Sequence, residues 1–229
     1  MEIIGKGSYE LGAVWVAMRV PNGYISGHAN QARIRTFPLN DKDNCLYSPD
    51  VISFARGIKL YPQDKPDEEF SFSDVYDPVS FHGARICDAR VWAFFSRFMG
   101  SEWSQRYLDY ALGYNLTNRM PLFVKPPDSV KVINYIIYYI FYYNMYLHVP
   151  LKISVTDAFE VMRSHFENSP LDMTGTEFPD VGAAFASIPY RAHPLNWDSN
   201  GLTYFNERPI ATQQTGWNFL AQSRHWMVS

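Results

Sequence analysis

A mixed α+β fold is predicted by three features: an apolar, strand-like run near the start, helix-periodic segments through the middle, and a final stretch, residues 210–226, that lacks helix periodicity and reads as a strand pair. With 229 residues the chain can form one large domain or two small ones around a substantial core. Hydrophobic residues make up 47% and aromatics 17%, so that core is expected to be rich in rings.

Residues 13–20 open with Val14-Trp15-Val16-Ala17-Met18, continuous in apolar residues as a buried strand would be. Pro21-Asn22-Gly23 is a turn, and residues 24–29 read as a second strand. No leading element is expected to pair the first strand. Ser48-Pro49-Asp50 has the order of a helix start, with Ser as N-cap, Pro at the first position and an acid in the first turn; Gly57 would stop that helix. Residues 84–99 carry Ile86, Ala89, Trp92, Phe95, Phe98 and Met99 on one helical face, ended by Gly100. Ser101 would cap a further short helix ending near Gly113. Residues 155–168 form the last expected helix, with Ser154 as N-cap, Asp157 three residues on, and an apolar stripe of Val155, Ala158, Phe159, Met162 and Phe166.

A net charge of -3 gives no electrostatic argument for nucleic acid or for an anionic membrane. Cys45 and Cys87 make neither a disulfide framework nor a zinc site and read as structural thiols. The six histidines show no metal-ligand spacing, so no metal and no cofactor are expected. Gly5-Lys6-Gly7-Ser8 lacks the leading glycine of a phosphate loop and reads as a hairpin turn. No Gly-x-Ser-x-Gly elbow is present.

Candidate chemistry concentrates in Gly27-His28-Ala29-Asn30-Gln31-Ala32-Arg33-Ile34. Asn30, Gln31 and Arg33 at a strand exit can aim several donors at one point, as a developing oxyanion requires. The same residues also suit a polar strand end with ordinary side-chain hydrogen bonds.

This segment, with Gly12-Ala13-Val14-Trp15-Val16-Ala17 before it, resembles the dipeptidase A family of cysteine peptidases, N-terminal-nucleophile hydrolases related to penicillin V acylase and bile salt hydrolase. The resemblance continues through Asn44-Cys45-Leu46-Tyr47-Ser48-Pro49-Asp50-Val51, Arg85-Ile86-Cys87-Asp88-Ala89-Arg90-Val91-Trp92, Asn118-Arg119-Met120-Pro121-Leu122, Met162-Arg163-Ser164-His165-Phe166-Glu167-Asn168 and Glu207-Arg208-Pro209-Ile210-Ala211. It covers nearly all of residues 1–128 and 152–227. It implies a four-layer αββα sandwich and an acyl-enzyme mechanism. A cysteine at the mature N-terminus would attack a dipeptide carbonyl with its own α-amine as base. Asn30 matches an oxyanion-hole asparagine of the acylase relatives, and is the catalytic residue expected. Arg85 matches an active-site arginine that could pair a substrate carboxylate, or could equally make a structural ion pair. Gln31 and Arg33 are the other substrate-binding candidates.

The family's nucleophile lies upstream of the matched region, and neither Cys45 nor Cys87 matches it. Met1 corresponds to an internal methionine of the longer pattern, and Ser229 falls short of its C-terminal portion. Residues 1–229 are therefore expected to be a partial domain, an incomplete sandwich lacking N-terminal and C-terminal parts and inactive by itself. A non-catalytic binding protein derived from the family is the alternative. A dipeptide is the expected partner.

Residues 129–151 have no counterpart in the family pattern. Residues 133–147 contain six tyrosines, four isoleucines and no charge. Their length approaches a membrane span, but Asn134, Asn144 and centrally placed tyrosines are awkward in hydrocarbon. All are residues of A/T-rich codons, so the favoured reading is a translated intron; an exposed aromatic helix or strand is the other.

Overall fold

The computed structural model describes residues 1–7, 12–127, 153–173, 196–205 and 208–211. The chain divides into two units, Met1–Pro127 and Asp128–Ser229. Both helix and strand occur, in agreement with the α+β expectation. Residues 133–147 and the strand pair expected over 210–226 lie outside the described residues, except for Ile210 and Ala211.

In the first unit, β2 (Ala13–Met18) is the centre of a three-stranded antiparallel sheet. It pairs with β1 (Glu2–Gly5) on one side and β4 (Cys45–Tyr47) on the other. The pairing with β1 corrects the expectation of an unpartnered first strand. β2 is also not buried throughout. Val14 and Val16 have no exposed surface while their neighbours are half-buried, the alternation of an antiparallel strand with one covered face. Each buried valine contributes roughly 1.5–3 kcal/mol. The second expected strand shrinks to β3 (Ile25–Ser26), which pairs with β5 (Phe123–Val124).

Beneath the sheet, Val14, Val16, Ala32, Ile34 and Phe37 pack with Val51, Ile52 and Ala55 of α1 (Val51–Gly57). Phe37, Tyr61 and Phe70 add edge-to-face ring contacts at 6.2 and 5.1 Å. Ser48 does not cap α1. Its hydroxyl accepts the Trp15 N–H at 3.1 Å, so it is engaged with β2, and the helix starts after Asp50. Lys6 pairs with Asp50 and lies over the Phe54 ring, which removes its phosphate-loop appearance.

After α2 (Phe72–Tyr76), the expected helix over 84–99 proves to be two pieces: a π-helical turn, Gly83–Asp88, that runs into α3 (Ala89–Met99). Ile86, Ala89, Trp92, Phe95 and Phe98 are buried as the periodicity predicts, and Met99 is half-buried. Gly100, at φ 83°, ends α3 and starts α4 (Ser101–Arg106), so Ser101 is the first residue of α4 rather than its cap. α5 (Leu108–Ala111) follows. Trp92 Nε1 donates to the Ser104 carbonyl at 2.9 Å, and Phe95 meets Trp103 edge-on at 5.6 Å, binding α3 to α4.

In the second unit, α6 (Val155–Met162) begins with the expected capping box of Ser154 and Asp157. It ends six residues early, at Met162, and the chain beyond it turns through Phe166 and Asn168 at left-handed φ of 66° and 59°. The expected stripe holds in part: Ala158 and Met162 are half-buried and Phe166 is buried, but Val155 and Phe159 are exposed, and Val161 is the buried residue of the helix. β6 (Asn196–Ser199) and β7 (Leu202–Phe205) form a hairpin around Asn200-Gly201, both at positive φ, the geometry of a tight hairpin turn. No described helix is long and apolar enough to cross a membrane.

Candidate active site

Residues 27–34 leave β3 without regular secondary structure. Their position is fixed from several sides. Gly27 lies against α3, where an added Cβ would come within 2.9 Å of Phe94 and 3.1 Å of Val91. The Glu2 carboxylate accepts the main-chain N–H of Arg33 at 2.6 Å and of Ile34 at 3.0 Å. The Asp77 carboxylate accepts the N–H of Ala32 at 2.6 Å. Arg119 donates to the Ala32 carbonyl.

Asn30 is exposed, as is His28, whereas residues 31–34 are buried. Its Oδ1 accepts a 2.9 Å hydrogen bond from Arg90, and Arg90 Nε is itself anchored on the Ile86 carbonyl at 3.0 Å. A guanidinium only donates, so the amide atom facing it must be oxygen. Asn30 Nδ2 is therefore turned away as a donor, with no partner among the described residues.

Gln31 and Arg33 point inward. Gln31 Nε2 donates to the Asp77 main-chain carbonyl at 2.6 Å and to its carboxylate at 2.9 Å. Its Oε1 occupies the place where a Cβ on Gly83 would sit, 1.7 Å away. Arg33 donates to the Pro121 carbonyl at 2.8 Å, stacks on Phe95 and pairs with Asp88 at 3.4 Å. Asp88 is 1% exposed. Burial pushes its carboxyl up, against the opposing pull of Arg33 and of the Tyr110 hydroxyl. Arg85 is half-buried on the same π-helical turn that carries Asp88.

A cleft of about 230 Å³ opens beside this pair, lined by Arg33, Arg35, Asp88, Arg119, Met120 and Leu122 among others. Arg35 and Arg119 both bond Asp74. Burial raises the Asp74 carboxyl, but the Ser71 hydroxyl and the two guanidinium groups outweigh it and hold it below its ordinary value. Cys45 and Cys87 are free and buried. Burial foremost pushes both thiols up, away from the thiolate form a nucleophile needs. Among the described residues no group of His, Cys, Asp and Glu could hold a metal.

The structure thus brings Asn30 and Arg33 onto one helical rod, through Arg90 and Asp88. Arg90, Asp88, Arg119 and Glu2 were not singled out from the sequence. Their partners among residues 30–34 lie 31 to 87 residues away, and no local pattern marks such pairings.

The model of a family described as peptidase family C69 matches residues 1–228. A protein described as a "probable dipeptidase" from Salmonella dublin is 30% identical over 121 residues, 53% of this chain and 26% of that protein. Another "probable dipeptidase", from Latilactobacillus sakei, is 25% identical over 205 residues, 89% of this chain and 35% of that protein. The chain therefore spans about a third or less of the curated relatives it matches.

Proposed function

The chain belongs to peptidase family C69, and from that premise we propose that residues 27–34 form the oxyanion side of a cysteine dipeptidase site within an N-terminal-nucleophile hydrolase sandwich. The observation that carries this reading is the clamp on Asn30: Arg90 holds Oδ1, and Nδ2 is left as an exposed, oriented donor. In the reaction a cysteine at a mature N-terminus gives its thiol proton to its own α-amine and attacks the dipeptide carbonyl. Asn30 Nδ2 donates to the oxyanion; the tetrahedral adduct expels the amine of the second residue, and water then releases the acyl group. Arg85, half-buried on the π-helical turn, takes the substrate carboxylate or orients the thiolate. Gln31 and Arg33 act as struts that fix the segment, since the donors of Gln31 and one Arg33 amino group are spent inside the protein and Arg33 pairs with buried Asp88.

Neither Cys45 nor Cys87 supplies the nucleophile, for both are buried with thiols pushed up. The 229 residues alone are accordingly expected to be inactive on dipeptides; turnover by them would overturn that expectation. In a form of the protein with a cysteine at its mature N-terminus, Asn30→Ala lowers kcat by about 10²–10³-fold, the usual loss for one oxyanion donor. KM and the melting temperature should stay near their starting values. Unchanged kcat would remove Asn30 from the oxyanion role. Absence of turnover even with such a cysteine present would favour a binding protein that keeps the cleft without the chemistry.

We also propose that residues 129–151 are a translated intron within a single hydrolase domain. Transcript sequencing decides it: codons 129–151 retained in the mature message would end the proposal.

A further inference from the structure

Outside the Asn30 site, three side chains form a relay the dipeptidase reading does not use. Ser26 Oγ lies 2.9 Å from His28 Nε2, and His28 Nδ1 lies 3.1 Å from Glu2 Oε1. The order of atoms is that of a nucleophile, a base and an orienting carboxylate, a constellation that recurs on unrelated folds and is recognised by geometry rather than by sequence position.

Each member has the environment its role needs. Glu2 is 8% exposed, and the N–H groups of Arg33 and Ile34 donate to its carboxylate, so the acceptor facing His28 is fixed. That acceptor selects the tautomer with the proton on Nδ1 and leaves Nε2 as the base toward Ser26. Ser26 is half-buried at the end of β3, and the His28 side chain keeps 29% exposure. The Ser26 hydroxyl has one competing acceptor, the Leu122 carbonyl, at the longer distance of 3.3 Å. The main-chain N–H groups of His28, Ala29 and Asn30 have no acceptor among the described residues.

We propose that Ser26, His28 and Glu2 form a serine-type acyl-transfer centre acting on short-chain carboxylic esters. Ser26 Oγ bonds to the ester carbonyl carbon as its proton passes to His28 Nε2. The tetrahedral adduct collapses, the carbon–alkoxy bond breaks, and the imidazolium returns the proton to the departing alcohol. Water repeats the sequence on the acyl-serine and releases the acid. No oxidant, metal or cysteine takes part, so the centre needs no N-terminal nucleophile, although His28 lies in the same segment as Asn30. Ser26 and His28 are the catalytic residues; Glu2 is a positioning residue.

The test is labelling of the folded chain with a fluorophosphonate probe, with the modified peptide located by mass spectrometry and folding followed by circular dichroism. The label is expected on Ser26, unaffected by prior treatment with iodoacetamide. Ser26→Ala abolishes it, together with hydrolysis of p-nitrophenyl acetate, and His28→Ala slows it by about 100-fold or more. Glu2→Gln keeps an acceptor for the two N–H groups but removes the carboxylate that orients His28, so labelling of Ser26 slows while the circular dichroism spectrum is unchanged, and Glu2→Asp restores part of the rate. A strut linking β3 to β1 would alter melting temperature in these variants and nothing else. No label on the folded chain, a label on another residue, or labelling that survives Ser26→Ala or is undiminished in His28→Ala overturns the proposal.

Discussion

Residues 27–34 and the helical rod from the π-helical turn to α5 solve the same problem by opposite means. The rod satisfies its main chain internally and hides an aromatic face, with Trp92, Phe95 and Phe98 buried. Its polar groups mostly stay at the surface, as the exposed Glu102–Arg106 pair does. The segment has no ladder of its own. Its main-chain groups are met by the carboxylates of Glu2 and Asp77 and by the guanidinium of Arg119, and its side chains by Asp77, Asp88 and Arg90. Polar chemistry carries the structure in one region and ornaments it in the other, so the same substitution should have very different consequences in the two.

The sharpest contrast is arginine to alanine. Arg33→Ala strands the buried Asp88 carboxyl and is expected to cost about 3–5 kcal/mol in chemical denaturation. Arg106→Ala, which breaks an exposed pair four residues apart, should cost about 0.3–0.5 kcal/mol. Similar losses at the two sites would erase the distinction. Next is Gly27→Ala, which drives a methyl into Phe94 and Val91 and is expected to cost about 1–3 kcal/mol. A neutral result would show that the segment can lift off α3. The smallest effect is a slope. Burial holds the folded-state carboxyl of Asp88 above the ordinary 3.8. Between that ordinary value and the raised one, the folded state binds more protons than the unfolded state, so stability falls as pH rises through the window. Asp88→Asn should flatten this slope relative to wild type in melts taken across it. An unchanged slope would assign the titration to another group.

The rod was legible in the sequence because burial there follows a period of 3.6, which places Ala89, Trp92, Phe95 and Phe98 on one face. The π-helical start left no such mark. Residues 27–34 were legible as a cluster of donors, but not in their division of labour. Asn30 faces out while Gln31 and Arg33 face in, and that follows from Asp77, Asp88 and Arg90, brought near by tertiary folding. The short β1 and β4 escaped for a related reason: strands of three or four residues carry too few alternations to register. α6 misled because its apolar residues were summed into one face. The helix stops before Phe166 can extend that face, and Val161 is the residue covered.

The π-helical turn Gly83–Asp88 gives the rod a residue to spare. Such a turn accommodates one residue beyond the α-helical count, and each residue of an α-helix corresponds to about 100° of rotation. Losing a single residue between Gly83 and Asp88 would therefore shorten the rod very little. Because the turn already absorbs that residue, the helix on either side would keep its azimuth, and the side chains within the turn, Arg85 among them, would be re-aimed. A length change at this point therefore reaches both arginines: it re-aims Arg85 and removes or shifts the Ile86 carbonyl on which the Arg90 clamp on Asn30 is seated.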